Sequence, residues 1–144
     1  MIEVLIAGVL LASAMAAVSR ISVAALSGSA SLSDRARIEA AINDNIQSLQ
    51  KEDSYFTDTW IRENEGEEFL KKACKNPAEA LRNHLELAAP KTRVAEISRT
   101  FDTITIPGIL SVTYSFEGPE QQIKDEKRII EMTPNFASQC YNTQ

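Results

Sequence analysis

The first 26 positions of the chain are almost without charge. From Met1 to Ser19 the only charged residue is Glu3, and apolar or small residues then continue to position 26 with Arg20 as the single interruption. A helix needs about 20 apolar residues to cross the hydrocarbon of a bilayer. Residues 1–26 are therefore predicted to form a hydrophobic helix, with three interpretations: a membrane anchor, a cleavable secretion signal, or a helix that polymerises.

Glu3 and the small residues of this segment favour a helix that packs against other helices. A signal peptide begins with basic residues, so the acid disfavours that interpretation, although Ala12, Ala14 and Ala16 provide cleavage sites of the A-x-A type. A charged side chain costs about 2.5–3.5 kcal/mol at the centre of a bilayer. We therefore expect such a residue to be kept only where it has a partner. Gly8, Ala12 and Ala16 recur every four residues, which lets helix backbones approach closely.

An amphipathic pattern follows in residues 27–52. Its apolar positions recur at spacings of four, four and three: Ile38, Ile42, Ile46 and Leu49. This period predicts that the helix continues and lays one face on a folded domain. The serines and the glycine of Ser27–Ser31 favour a helix only weakly, so we expect a bend or local melting there.

Residues 53–92 form a polar connecting segment with signals for short helices. Asn76 suits a helix cap, Pro77 the first helical position and Glu79 the third, so a helix is predicted to start there. A shorter helix is predicted before it, around Glu65 to Cys74. The segment therefore links the long helix to the rest of the domain through further helices.

Residues 93–144 carry three strand patterns and a C-terminal tail. The clearest runs from Ile109 to Phe116 and alternates apolar with hydroxyl side chains. Val94 to Ile106 and Lys127 to Thr133 are the other two, and a proline–glycine pair between the first two patterns suits a type II turn. The prediction is an α+β fold in which a long N-terminal helix, a hydrophobic stalk plus an amphipathic half, packs on a small antiparallel β-meander.

Charge and motifs disfavour several classes of function. The formal net charge of −5 arises almost wholly after residue 33, and no basic stripe indicates a nucleic-acid partner. His84, the only histidine, is predicted on the exposed side of its helix, without a nucleophile motif or metal-ligand spacing. Tyr55, Phe56 and Trp60 are predicted to lock the end of the long helix onto the domain. We expect a protein that is not an enzyme and that uses no metal or cofactor.

The run from Ile2 to Ala7 closely resembles the start of type IV pilins and of the pseudopilins of type II secretion. The family pattern is G-F-T-[L/M]-I-E-V-L-I-A, and Met1 would take the L/M place. The glycine, the phenylalanine, the threonine and the short basic leader of that pattern are absent from this sequence. We interpret Met1 as an internal methionine of a longer reading frame, or the chain as truncated before Met1.

The resemblance implies a pilin-like fold and a structural role. Family members are cut by a prepilin peptidase, methylated at the new N-terminus and stored in the bacterial inner membrane. They then enter a cell-surface or periplasmic filament through the N-terminal helix. Glu3 matches the family glutamate that pairs with the N-terminal amine of a neighbouring subunit. The expected partners are homologous pilin subunits, the inner membrane, the prepilin peptidase and the pilus assembly machinery.

Three interpretations of the function stay open at this point. The first is a structural subunit of a type IV pilus or pilus-like filament, either minor or major. The second is a pseudopilin of a type II secretion system, which shares every N-terminal feature. The third belongs to a different class, a periplasmic domain held by a single-helix membrane anchor, which would tolerate Glu3→Ala.

The two cysteines, Cys74 and Cys140, lie far apart in the sequence. In an oxidising compartment they are a candidate disulfide, and in the cytosol they would be two buried thiols. Pilins often carry a disulfide that ties the C-terminal loop to the globular domain, so the resemblance implies a bond between them. The position of Cys140 matches that pattern, whereas Cys74 lies earlier than in many pilins.

Overall fold

The structure, a computed structural model, has an α+β fold with a long N-terminal helix and a small antiparallel sheet. It describes the backbone of residues 2–119 and 125–142, and the side chains of residues 15, 18, 19, 28–119 and 125–140. Four α-helices, three strands and a C-terminal 3₁₀ helix follow one another along this part of the chain: α1 Ile2–Tyr55, α2 Asp58–Asn64, α3 Glu67–Lys75, α4 Pro77–Ala88, β1 Ser98–Asp102, β2 Leu110–Phe116, β3 Glu126–Met132 and the 3₁₀ helix Asn135–Asn142.

The chain divides into two compact units. The first is Met1–Arg37, and the second, which we call the C-terminal domain, is Ile38–Gln144. Among the described residues, no helix combines the length and the apolar character that crossing a membrane requires. Within the predicted hydrophobic helix, residues 1–26, the structure describes the side chains of residues 15, 18 and 19 only.

Helix α1 runs unbroken through Ser27–Ser31, so the expected local melting there is wrong, whereas the alternative of a bend stays a prediction. The segment is helical throughout, and the Ser31 hydroxyl donates to the carbonyl oxygen of Gly28 at 2.9 Å. A serine that bonds back to a carbonyl of its own helix is compatible with a helical backbone, although such bonds often bend the helix. One glycine costs about 1 kcal/mol relative to alanine, which is too little to interrupt a helix of 54 residues.

The sheet is a meander with β2 in the centre, as predicted. Its strand order is β1-β2-β3, and both pairs are antiparallel. The predicted alternation of β2 is confirmed, because four residues of one face are buried: Leu110, Val112, Tyr114 and Phe116. The predicted type II turn is also confirmed, since Gly108 has a φ of 79° and the amide of Ile109 donates to the carbonyl of Ile106 at 3.2 Å.

The C-terminal half of α1 supplies one wall of the domain core. The predicted apolar face is confirmed, because Ile38, Ile42 and Leu49 are buried and Ile46 packs against the same cluster. One polar residue, Asn45, lies on this stripe and is also buried. The pattern of apolar spacings did not identify Asn45 as part of the core.

The connecting segment has one more helix than predicted. Helix α4, Pro77–Ala88, begins at the predicted Pro77, although the Asn76 side chain makes no capping bond. The predicted helix around Glu65 to Cys74 is present as α3, Glu67–Lys75. Helix α2 was not predicted, and it begins where the Thr57 hydroxyl accepts from the amide of Trp60 at 3.2 Å.

Candidate functional site

The predicted assembly residues lie on α1. Glu3 falls in the first turn of this helix. Further along it, Gly8, Ala12 and Ala16 are spaced four residues apart. Residues four apart on an α-helix share one face, so the continuous helix keeps the small positions in one stripe. The side chains of these four residues lie outside the part of the chain whose side chains are described.

The two cysteines form a disulfide, so the alternative of two free thiols is set aside. Cys74 on α3 is bonded to Cys140 on the 3₁₀ helix, with Cα atoms 5.5 Å apart and a sequence separation of 66. The bond attaches the C-terminal tail covalently to the helical connecting segment. Both predicted disulfide residues are therefore brought together.

The tail also packs on the end of α1. Phe136 is 1% exposed, and its ring meets that of Phe56 edge-on at 5.3 Å between centroids. The amide of Asn135, at the start of the 3₁₀ helix, donates to Asp53 Oδ1 at 3.1 Å. Burial raises the pKa of Asp53, and the bond from Asn135 partly opposes that rise.

His84 is part of this aromatic cluster, so its predicted exposed position is wrong. Its ring stacks on Phe56 at 4.2 Å and meets Trp60 edge-on at 5.3 Å, leaving the side chain only 15% exposed. Burial lowers the pKa of His84, although the Glu52 carboxylate at 3.9 Å favours the charged form. Its buried Nε2 has no hydrogen-bond partner among the described residues. His84 is thus a neutral packing residue near pH 7.

The aromatic prediction for the end of α1 is confirmed for two residues of three. Phe56 is buried and lies 5.7 Å from Trp60 between ring centroids. Tyr55 is 59% exposed and lies beside the ammonium group of Lys51 at 5.8 Å. Phe56 and Trp60 therefore hold the helix end, whereas Tyr55 faces solvent.

A buried polar network joins α1 to the sheet. Asn45 Oδ1 accepts from the Tyr114 hydroxyl and from the Arg99 guanidinium, each at 2.9 Å. Asn45 Nδ2 donates to the carbonyl of Pro90 at 2.9 Å, and Arg99 donates to the same carbonyl at 3.0 Å. Arg99 and Tyr114 face each other across β1 and β2. One α1 side chain thus fixes the register of the helix against two strands and the segment after α4.

Burial sets the ionisation of this network. Removal from water raises the pKa of Tyr114 to about 12, opposed by the charge of Arg99. Burial lowers the pKa of Arg99, opposed by Tyr114 and Glu86. Tyr114 therefore keeps its proton, and so remains a donor, at any pH near neutrality.

The surface around the network offers an open cleft of mixed charge. It has a volume of about 320 Å³ and is lined by residues of α1 and of the segment after α4, among them Asp44, Ser48, Lys91 and Arg93. Among the described residues, no group of three or more histidine, cysteine, aspartate or glutamate side chains is placed to hold a metal ion. The polar network of Asn45, the aromatic cluster and the disulfide hold helix α1, the sheet and the C-terminal tail together.

The signal that could have identified Asn45 is its place in the apolar stripe. It lies three residues after Ile42 and four before Leu49, both fully buried. A polar residue on a buried helical stripe requires partners. The partners themselves come from distant strands and cannot be predicted from the helix sequence.

Comparison of the chain with protein-family models, with curated proteins and with solved structures found no match.

Proposed function

We propose that the chain is a structural subunit of a type IV pilus or pilus-like filament, stored in the bacterial inner membrane and assembling through α1. The observation that carries the proposal is the continuity of α1 from Ile2 to Tyr55. One helix carries both the apolar N-terminal run with its single acid and the stripe that forms a wall of the C-terminal domain core.

Glu3 is the register charge in this proposal. A carboxylate in an apolar helix is stabilised by an opposite charge on a neighbouring helix, and such a pair sets the axial position of one helix against the next. Gly8, Ala12 and Ala16 form the close-approach stripe that apolar helices use when hydrophobicity no longer drives them together. The charge and the stripe together favour assembly over simple anchoring.

The C-terminal domain suits display on a filament. Its tail is held by the Cys74–Cys140 bond, by the aromatic packing of Phe136 and by the bond from Asn135 to Asp53. A disulfide adds about 2–4 kcal/mol by constraining the unfolded chain and persists in oxidising compartments. This supports a domain that faces the periplasm or the cell exterior.

The second candidate is a pseudopilin of a type II secretion system. It rests on the same observations, because pilins and pseudopilins share the N-terminal pattern. A periplasmic domain held by a single-helix anchor is the alternative from a different class, and it gives no role to Glu3.

The experiment replaces Glu3 with alanine in cells that build the filament and measures the chain in sheared filaments and in membranes. The matched control is Glu131→Ala, a loss of the same charge at an exposed position on β3. We expect Glu3→Ala to leave the chain in the membrane and to deplete it from filaments, with Glu131→Ala behaving as wild type. Equal filament content for both variants would contradict the register role.

A further inference from the structure

Two large apolar side chains beside α4 are almost fully exposed. Leu87 near the end of α4 is 90% exposed, and Ile104 in the loop between β1 and β2 is 87% exposed. The loop is attached to α4, because the Thr103 hydroxyl donates to Glu79 Oε2 at 3.1 Å. Each exposed apolar side chain alone would be ordinary, but these two accompany a groove on the same helix.

The loop holds Ile104 in a fixed position. The amide of Ile104 donates to Asp102 Oδ1 at 2.8 Å, and the Thr105 hydroxyl donates to the other carboxylate oxygen of Asp102. These bonds lower the pKa of Asp102, so the residue beside Ile104 stays negatively charged at neutral pH. A projecting side chain on a preordered loop loses little conformational entropy when it binds.

A groove with an apolar floor lies between α3 and α4. Its volume is about 170 Å³, and Phe69, Ala73 and Ala80 form the apolar part of its lining. Polar residues complete the lining: Lys72, Asn76, Glu79 and Asn83. Leu87 follows Asn83 by one turn of α4, so it extends the groove along the helix. The groove has room for one branched aliphatic side chain.

We propose that this surface is an interface with a second copy of this chain, in which Ile104 of each copy enters the groove between α3 and α4 of the other. Ile104 does not fill the groove of its own copy, since it is 87% exposed. Glu79 lines the groove and also holds the loop, so the projecting and the accepting parts adjoin. That adjacency is what a two-fold, self-complementary interface requires.

The charges of the two parts match across such an interface. Asp102 adjoins the projecting Ile104, and Lys72 lies at the groove. Docking one copy on the other brings these opposite charges together, which favours this pairing over other orientations. Glu79, the one acid of the groove, has Arg82 of its own helix at 3.8 Å. The partner is therefore a second copy of the C-terminal domain, whether or not the chain also enters a filament.

The test places a photo-crosslinking amino acid at position 104 of the full-length chain in detergent micelles. Mixing this chain with isotopically labelled chain separates products between copies from products within one copy. Mass spectrometry then locates the attachment site. The same experiment with Glu3→Ala chains distinguishes this interface from filament assembly. Because the interface does not use Glu3, its crosslinks should persist in that variant.

Matched variants of the labelled chain sharpen the result. Ala80→Gln fills the groove, whereas Ala88→Gln makes the same change at an exposed position of the same helix. Lys72→Glu reverses the charge at the groove, whereas Lys71→Glu does so at an exposed position outside it. Alkylation of the chain before reduction verifies that the Cys74–Cys140 bond is intact in each variant, and the emission of Trp60 verifies that the domain is folded.

We expect products between copies that join position 104 to residues 69–83. Ala80→Gln should lower their yield about tenfold at limiting concentration, which is the affinity lost when one aliphatic side chain is no longer buried. Lys72→Glu should lower it several-fold, and both control variants should match the unmodified chain. Products only within one copy, products at another surface, or equal yields for Ala80→Gln and Ala88→Gln would overturn the proposal.

Discussion

Replacing Asn45 with alanine removes the central acceptor of the buried polar network. The Tyr114 hydroxyl then has no partner in a fully buried position, which costs about 1–3 kcal/mol. Arg99 and Pro90 keep their hydrogen bond to each other. Losing the bonds that each makes to Asn45 therefore costs only about 1 kcal/mol more. We expect the free energy of unfolding to fall by about 2–4 kcal/mol. For a domain of this size that corresponds to a drop in Tm of about 8–16 °C.

The assay is urea unfolding of the full-length chain in detergent, followed by fluorescence. Trp60 is the only tryptophan and packs against His84 in the C-terminal domain, so its emission reports on this domain. Asn43→Ala is the matched control, because Asn43 is an exposed asparagine on the same helix. We expect it to change the free energy by less than about 0.5 kcal/mol.

A double-mutant cycle with Tyr114→Phe tests the reasoning further. Tyr114→Phe alone should cost about 1 kcal/mol, because Asn45 Oδ1 still accepts from Arg99. In the double variant no hydroxyl is left unpaired. Its loss in free energy of unfolding should therefore be about 1–2 kcal/mol smaller than the sum of the losses in the two single variants. Strict additivity, or a loss below about 0.5 kcal/mol for Asn45→Ala, would refute the role of the network.

Three further predictions concern the disulfide, His84 and Gly108. Cys74→Ser with Cys140→Ser should lower the free energy of unfolding by about 4 kcal/mol for a loop of 66 residues, measured by urea titration against wild type with and without reductant. Because burial lowers the pKa of His84, the unfolded chain takes up this proton first and stability falls as pH falls through 6.5. His84→Phe should make the urea midpoint depend less on pH between 7.5 and 5, and an unchanged slope would contradict that assignment. Gly108→Ala should destabilise by about 1–2 kcal/mol, because its φ of 79° disfavours any side chain, and an unchanged thermal midpoint would count against it.

The elements that could be predicted are those whose signal is local and periodic. The alternation of β2 and the stripe of Ile38, Ile42 and Leu49 each follow from which side chains must avoid water. Helix α4 carries its own start signal in Pro77. The Pro–Gly turn before β2 was readable because only glycine readily adopts the positive φ that the turn needs.

The features that could not be predicted depend on contacts between distant segments. The burial of Asn45 is stabilised by Tyr114, which is 69 residues away, and the position of His84 depends on Phe56 and Trp60. The expected local melting at Ser27–Ser31 overweighted local propensity, since the segment is helical throughout. Glu3, Gly8, Ala12 and Ala16 lie outside the described side chains, so their proposed packing against another chain stays a prediction.

The most direct test of the filament proposal replaces residues 1–26 with an unrelated single-span membrane helix of the same length. The replaced chain and the native chain are then compared for co-sedimentation with sheared filaments, with the Cys74–Cys140 bond verified in both. The proposal predicts that the native chain sediments with the filaments and that the replaced chain stays in the membrane. Equal co-sedimentation of both chains, or absence of the native chain from filaments, would contradict assembly through α1.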